Sequence, residues 1–432
     1  MKVKNIFVTA LMLAGINAFA QEGKPSVQVH GFIRNFYDFD TRECVAGTED
    51  FFVYLPKDVD MHNGVDLNEQ TTLSTAAITS RLWVEAKGYE IEGIKVGARI
   101  EADFYNGLSS SDKVTGTAVF RMRQAFMTMA KSGWQLKIGQ AWHPMSLDLP
   151  DITSLNSGSP FNPFNRSPQI TLDYKFGGSL SLTGSLIWQM QYTSTGPDGA
   201  SAKYIKYGCV PEMYLGLNYS EGGFLGRAGV DMLSIKPRWN DGTAKVSDRI
   251  TTFSPYIYLQ YKKGDFTVKF KTIYAQAGEH LNLNGGYGIA TTVVPGESSD
   301  LGTSYAYTPT TNSSSWISLS YGKKWQGVLF AGYVKNFGTM DALFDGDEDG
   351  YASLYFSKNS FTNLNSMYRI SPAVVFNLGK LAFALEYELT SAQYGEYAEG
   401  RKGLVSAKTG LVEDGLHWVT NHRLQLMAKY TF

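Results

Sequence analysis

Apolar and polar residues alternate with period two along most of the chain. In the last stretch Leu424, Leu426, Ala428, Tyr430 and Phe432 share one face, while Arg423, Gln425, Lys429 and Thr431 share the other with Met427. Between 93 and 105, Ile94, Val96, Ala98, Ile100, Ala102 and Phe104 oppose Lys95, Gly97, Arg99, Glu101 and Asp103. Stretches 178–192 and 381–389 repeat the pattern. Successive side chains of a strand point to opposite faces, so the pattern predicts β-strands with one apolar and one polar face. It predicts about sixteen of them, near 26–39, 75–88, 93–105, 118–130, 133–142, 168–177, 179–193, 210–220, 223–236, 250–262, 265–277, 314–322, 327–337, 366–378, 380–392 and 416–432.

A soluble sandwich would alternate too, and the connections separate the two cases. Short links rich in glycine, such as Lys131-Ser132-Gly133, Gly177-Gly178 and Glu221-Gly222-Gly223, alternate with long ones near 40–74, 106–117, 143–167, 194–209, 237–249, 278–313, 338–365 and 393–415. Glycine suits tight hairpin turns. An even-stranded meander with one trim and one ragged end is the shape of a transmembrane antiparallel β-barrel, with short periplasmic turns and long extracellular loops. Closure is obligatory in lipid, because an open sheet edge would leave backbone groups unsatisfied at several kcal/mol each. A barrel of this size leaves an aqueous channel, whereas eight strands are filled by their own side chains.

The two ends agree with that reading. Lys2 and Lys4, an apolar run from Ile6 to Leu13 and Ala18-Phe19-Ala20 read as a signal peptide over 1–20, with a single barrel domain over 21–432. A final strand ending in phenylalanine with alternating apolar residues before it resembles the C-terminal signature of outer-membrane barrels, and that resemblance implies a location in the cell outer membrane. Aromatic residues reach 14 % and charged residues only 18 %, against about 25 % charged in soluble domains. Aromatic girdles at two membrane interfaces would use the excess. The formal net charge of −1 gives no reason to expect a nucleic-acid partner. Cys44 and Cys209 both fall in predicted loops of an exported chain, and whether they pair stays open.

Candidate chemistry is concentrated on the polar face of the first five strands. Arg34, Arg81, Arg99, Arg121, Arg123 and Lys137 lie there, with Glu85, Glu101 and Asp103. An arginine facing lipid at mid-membrane would cost roughly 2–4 kcal/mol, so these bases face the lumen. They form either a basic wall that selects anions or ordinary lumen polars neutralised by the acids. The third long link, 143–167, holds Pro144, Pro150, Pro160 and Pro163 among Trp142, Leu147, Leu149, Phe161 and Phe164. It reads as a loop folded into the barrel to constrict the pore, with Trp142, His143, Asp148 and Asp151 on it, bringing Asp148, Asp151 and Arg166 near the basic wall. The alternative is a rigid surface loop packed on a neighbouring protomer. Asp345, Asp347 and Asp349 imitate the start of a calcium loop, but Phe356 stands where its bidentate glutamate belongs, so a solvated acidic tip is expected and no metal. No G-x-S-x-G, H-E-x-x-H or nucleotide-binding motif occurs, and neither a catalytic residue nor a cofactor is expected.

Several segments resemble the trimeric Gram-negative porins, most closely the DcaP-like porins. They are Ser80-Arg81-Leu82, Ile100-Glu101-Ala102-Asp103-Phe104, Phe120-Arg121-Met122-Arg123-Gln124-Ala125-Phe126, Leu136-Lys137-Ile138-Gly139-Gln140-Ala141-Trp142 and Arg166-Ser167-Pro168-Gln169-Ile170. They cover strands 2 to 6 in family order, and the remainder matches only as generic barrel. The resemblance implies a homotrimer of 16-stranded barrels in outer-membrane lipid and lipopolysaccharide, passing small anionic solutes such as dicarboxylates, with Arg81, Arg121, Arg123 and Arg166 as the matched bases. Thr171 departs from the pattern where a further arginine is expected. A passive porin is therefore expected, and the alternative is a non-conducting barrel that anchors a larger outer-membrane assembly.

Overall fold

The computed structural model describes residues 25–48, 50–105, 118–293 and 302–432. The expected signal peptide and the link 106–117 lie outside the described residues. Nineteen strands form one hydrogen-bonded sheet. Sixteen of them are the walls of a closed antiparallel barrel. They are β1 (Ser26–Asp40), β2 (Arg81–Ile91), β3 (Ile94–Tyr105), β4 (Val119–Lys131), β5 (Trp134–Trp142), β6 (Arg166–Gly177), β7 (Leu180–Ile187), β8 (Glu212–Glu221), β9 (Phe224–Ile235), β10 (Ile250–Lys263), β11 (Phe266–Gln276), β12 (Ser304–Gly322), β13 (Trp325–Thr339), β14 (Leu364–Leu378), β15 (Leu381–Tyr394) and β16 (His417–Thr431). Every neighbour in this order pairs with the next, and β1 pairs with β16 from Phe32↔Thr431 to Asp40↔Arg423, which removes both sheet edges.

The alternation sorts side chains as a bilayer demands. Along β16 Trp418, Leu424, Leu426 and Tyr430 are exposed on the outer face, whereas Arg423 and Gln425 are buried inside. Exposed aromatic residues form two belts. Phe176, Tyr219, Tyr261, Tyr321, Trp325 and Tyr430 sit near the short turns, and Tyr37, Phe104, Phe120, Trp188, Phe337 and Trp418 near the long loops. Such girdles mark the two membrane interfaces. No described helix is long and apolar enough to cross a membrane. The turn joining β6 to β7 needs φ of 103° and 60° at Gly177 and Gly178, which other residues adopt only with strain.

The structure moves three expected boundaries. The second strand is split. Thr72–Ala76 pairs with the upper half of β1 and Arg81–Ile91 with the lower, and Thr79 between them turns the chain at φ 59°. β7 ends at Ile187 instead of 193. β12 begins at Ser304 instead of 314, because its polar first half pairs with a short loop strand, Gly286–Val293. Cys44 and Cys209 are both free thiols.

Candidate functional site

The third long loop leaves β5 at Trp142, crosses the lumen and returns at Arg166. Its backbone polar groups need partners wherever it is buried, and lumen-facing side chains supply them. Glu386 on β15 accepts the Thr153 and Ser154 amides at 2.7 and 3.0 Å. Arg369 on β14 donates to the Ser159 carbonyl at 2.8 Å. Lys271 on β11 donates to the Met145 and Asp148 carbonyls, both at 2.9 Å, and to Asn162 Oδ1 at 2.8 Å. Phe161, fully buried, packs edge-on against Phe330 with ring centroids 6.0 Å apart, beneath the Arg369 guanidinium.

Two other loops also turn inward. Cys44–Gly47 and Phe52–Pro56 form a hairpin in the first loop, and Phe51 to Leu55 are all buried. Arg369 holds this hairpin too, donating to the Val53 and Tyr54 carbonyls at 3.2 and 3.1 Å. Phe52 meets Phe164 of the third loop edge-on at 5.1 Å. Leu281, Asn282 and Leu283, after β11, are buried, and the Leu281 carbonyl accepts the Phe164 amide at 2.9 Å. The lumen is therefore narrowed from several sides.

Between these loops and the wall of β1 to β4 lies a cavity of about 620 Å3. Arg34, Arg81, Arg121 and Arg123 line it, opposite Trp142 and Tyr192. Two buried carboxylates hold the arginines in place. Arg123 donates to Glu101 at 2.7 Å and to Asp103 at 2.8 Å. Arg121 donates to Asp103 at 2.8 Å and stacks on Tyr105, 3.7 Å from its ring centroid. Arg81 reaches Glu101 at 3.3 Å and Asp103 at 3.8 Å. Arg34 bonds the Thr79 hydroxyl and stacks on Phe36. Arg123 and Arg166 both lie against the Trp142 ring, at 5.8 and 4.7 Å. Glu101 and Asp103 thus pair with four guanidinium groups, those of Arg81, Arg99, Arg121 and Arg123, and Arg34 Nε, Arg81 Nε and Arg166 Nη1 are buried without a hydrogen-bond partner. Fixed, desolvated N–H donors with surplus positive charge suit a planar or tetrahedral anion.

The remaining expected residues sit elsewhere. Arg99 pairs with Glu85 at 2.8 Å and with Glu101, one step below the cavity. Lys137 lies over the Phe126 ring at 5.5 Å, away from the cluster. Asp148 and Asp151 do not approach the basic wall. They pair across the lumen with Arg227 at 2.9 Å and Lys269 at 2.5 Å, because the loop spans the barrel instead of hugging the strands it leaves. His143 is buried against Glu212 and Asp231. Asp345 accepts the Asp347 and Gly350 amides within the turn, and Asp349 pairs at 2.5 Å with Arg401 of the last long loop, so two of these three carboxylates already have partners. Sequence reasoning missed the inward first loop and the Arg423–Asp38–Asp40 cluster, in which Arg423 reaches Asp38 at 3.1 Å and Asp40 at 2.7 Å. The apolar run Phe51 to Leu55 was the available signal for the loop.

No family model and no curated relative matches the chain. Solved structures do. The outer membrane channel DcaP of Acinetobacter baumannii superposes with a TM-score of 0.62 at 18 % identity, over 96 % of this chain and 99 % of that one. An anion-selective porin from Comamonas acidovorans gives 0.52 at 10 % identity, over 95 % and 100 %. Salmonella typhi OmpF gives 0.50 at 10 % identity, over 96 % and 99 %. The chain has the 16-stranded barrel fold of the outer-membrane porins.

Proposed function

We propose that this protein is a passive diffusion channel of the outer membrane that admits small hydrophilic solutes and prefers anions. The observation that carries the reading is the excess of lumen-facing guanidinium over carboxylate beside the third loop. Such a wall concentrates anions locally and lowers the barrier to their passage. The carboxylates fix the arginines in position, and the inward loops make the constriction. Phe176, Trp418 and their neighbours in the two belts contact outer-membrane lipid and lipopolysaccharide. The protomers assemble as homotrimers, as the strand 2 to 6 motifs suggest, and residues 21–432 form the single mature domain. The Comamonas protein of the same fold is described as anion-selective, which supports the charge preference. Proteoliposome swelling tests the reading. Small dicarboxylates should enter faster than zwitterionic amino acids of equal size. Equal rates would remove the charge preference, and no swelling would favour an anchoring barrel.

A further inference from the structure

The lipid-facing wall of β6 to β10 is not filled evenly. Gly184 on β7 lies between Leu172 of β6 and Leu215 of β8. A Cβ there would meet nothing within 4 Å. The glycine is the floor of an open groove of about 620 Å3, edged by Ile170, Leu186, Met213, Met232 and Phe253. Leu186 and then Trp188 follow Gly184 on the same face, and Trp188 belongs to the aromatic belt near the long loops. The groove therefore runs from the middle of the wall towards the loop side.

The same face turns polar and then basic above the groove. Met232 pairs with Phe253, and Ser234 with Thr251, in the β9–β10 register. The Ser234 and Thr251 hydroxyls share a hydrogen bond of 2.8 Å. The last pair of the two strands is Ile235↔Ile250, and one step further the alternation brings Lys236 and Arg249. Strand β10 climbs roughly 10 Å from Phe253 to Arg249, at about 3.4 Å per residue and a tilt of about 40°. Arg249 donates to the Ser234 hydroxyl at 2.9 Å and to the Gly208 carbonyl at 2.8 Å, which seats the short helix Lys203–Gly208 beside it. That helix exposes Lys206 and Tyr207, and the Tyr207 ring centroid lies 4.4 Å from that of Trp239. Lys203 pairs with Asp198 at 3.5 Å, whereas among the described residues Lys206, Lys236 and Arg249 have no carboxylate within ion-pair distance.

We propose that this face binds one molecule of a phosphorylated, acylated glycolipid of the outer leaflet, a lipopolysaccharide. An acyl chain fills the groove over Gly184, and the phosphates meet Lys206, Lys236 and Arg249. The site rests on the placement proposed above, with the long loops on the lipopolysaccharide side of the membrane. Apolar, hydroxyl and cationic groups follow one another up the wall in the order of acyl, sugar and phosphate groups in such a lipid. Apolar burial gains little among lipid tails, so the groove supplies fit and the bases supply affinity. Phosphate oxygens take charge-assisted hydrogen bonds from several N–H donors at once. Tyr207 and Trp239 are amphipathic rings suited to the headgroup level.

The test refolds the whole barrel in lipid-free detergent and adds lipid A with its phosphates, lipid A stripped of them, or phosphatidylglycerol. Native mass spectrometry reads the fraction of chains that carry a lipid. Phosphorylated lipid A should bind saturably. Each base beside an anionic headgroup contributes about fivefold, so removing the phosphates should weaken binding by about 100-fold. Lys206→Gln, Lys236→Gln and Arg249→Gln combined should cause a similar loss. Gly184→Leu should lower the occupancy with every base in place. The proposal is overturned if the wild type retains both forms of lipid A equally, or retains phosphatidylglycerol as well as lipid A. It is equally overturned if the wild type retains no lipid, as when a second copy covers the groove. These wild-type results decide the matter even where a variant fails to fold. Absence of lipid overturns this site alone, whereas absence of conductance overturns the channel.

Discussion

Arg123 Nε donates to Glu101 Oε1 at 2.7 Å, with only 4 % and 1 % of the two side chains exposed. Glu101 also receives Arg81, Arg99 and Gln124. Glu101→Gln keeps the shape and removes the charge that holds these donors. Breaking a buried pair from one side costs about 3–5 kcal/mol, so the variant should unfold at clearly lower denaturant. The surviving barrels should have a reversal potential shifted further towards anions. Unchanged denaturant unfolding would show that the arginines are held by something other than Glu101.

Arg34 separates charge from stability. Among the described residues it has no carboxylate within ion-pair distance. Its contacts are the Thr79 hydroxyl and the Phe32 and Phe36 rings. Arg34→Ala should cost about 1–2 kcal/mol of stability, less than breaking the Arg123–Glu101 pair, while reducing anion preference. The reduction should shrink between 0.1 and 1 M salt, as the screening length falls from about 10 to about 3 Å. Paired measurements of melting and ion selectivity at the two salt concentrations check this.

The third loop is held chiefly from the far wall. Lys271→Met removes the donor shared by the Met145 and Asp148 carbonyls and Asn162 Oδ1. Each acceptor left buried and unsatisfied costs about 1–3 kcal/mol. Single-channel recordings should show larger and noisier open steps than wild type. Gly332→Ala probes the same latch sterically, since its new Cβ would lie 2.5 Å from the Phe161 ring. Steps identical to wild type in both variants would mean that the loop does not set the constriction.

Phe432 extends the β1–β16 seam by one step beyond the Phe32↔Thr431 pair. Phe432 exchanges backbone hydrogen bonds with Gly31 at 3.0 and 3.3 Å, and its ring covers that glycine. A Cβ at position 31 would stand 2.5 Å from the ring and 2.8 Å from the Arg81 carbonyl. Gly31→Val should lower the temperature at which the folded band on a detergent gel converts to the unfolded one, and Gly31→Ala should do so less.

Strand number and lumen face were legible because both follow from a local period of two and from glycine at the short turns. Arg121 and Arg123 could be assigned to the lumen without knowing their partners. Their pairing with Glu101 and Asp103 depends on the register between β3 and β4, including the irregularity between Glu101 and Ala102. Loop placement was legible only where composition betrayed it, as at Phe161 and Phe164. The partners of Asp148 and Asp151 were not, because loop-to-wall contacts join distant parts of the chain. Arg369 reaches the Tyr54 carbonyl across 315 residues. The His143 contacts with Glu212 and Asp231 were not legible for the same reason, since no local spacing links a loop root to two strands.

The central claim is most directly tested by the reversal potential of the purified protein in a planar bilayer under a potassium chloride gradient. The account predicts stepwise conductance that reverses on the chloride side of zero, and a shift towards zero when Arg34, Arg81 and Arg121 are replaced together. Absence of steps, or reversal on the potassium side, would contradict it.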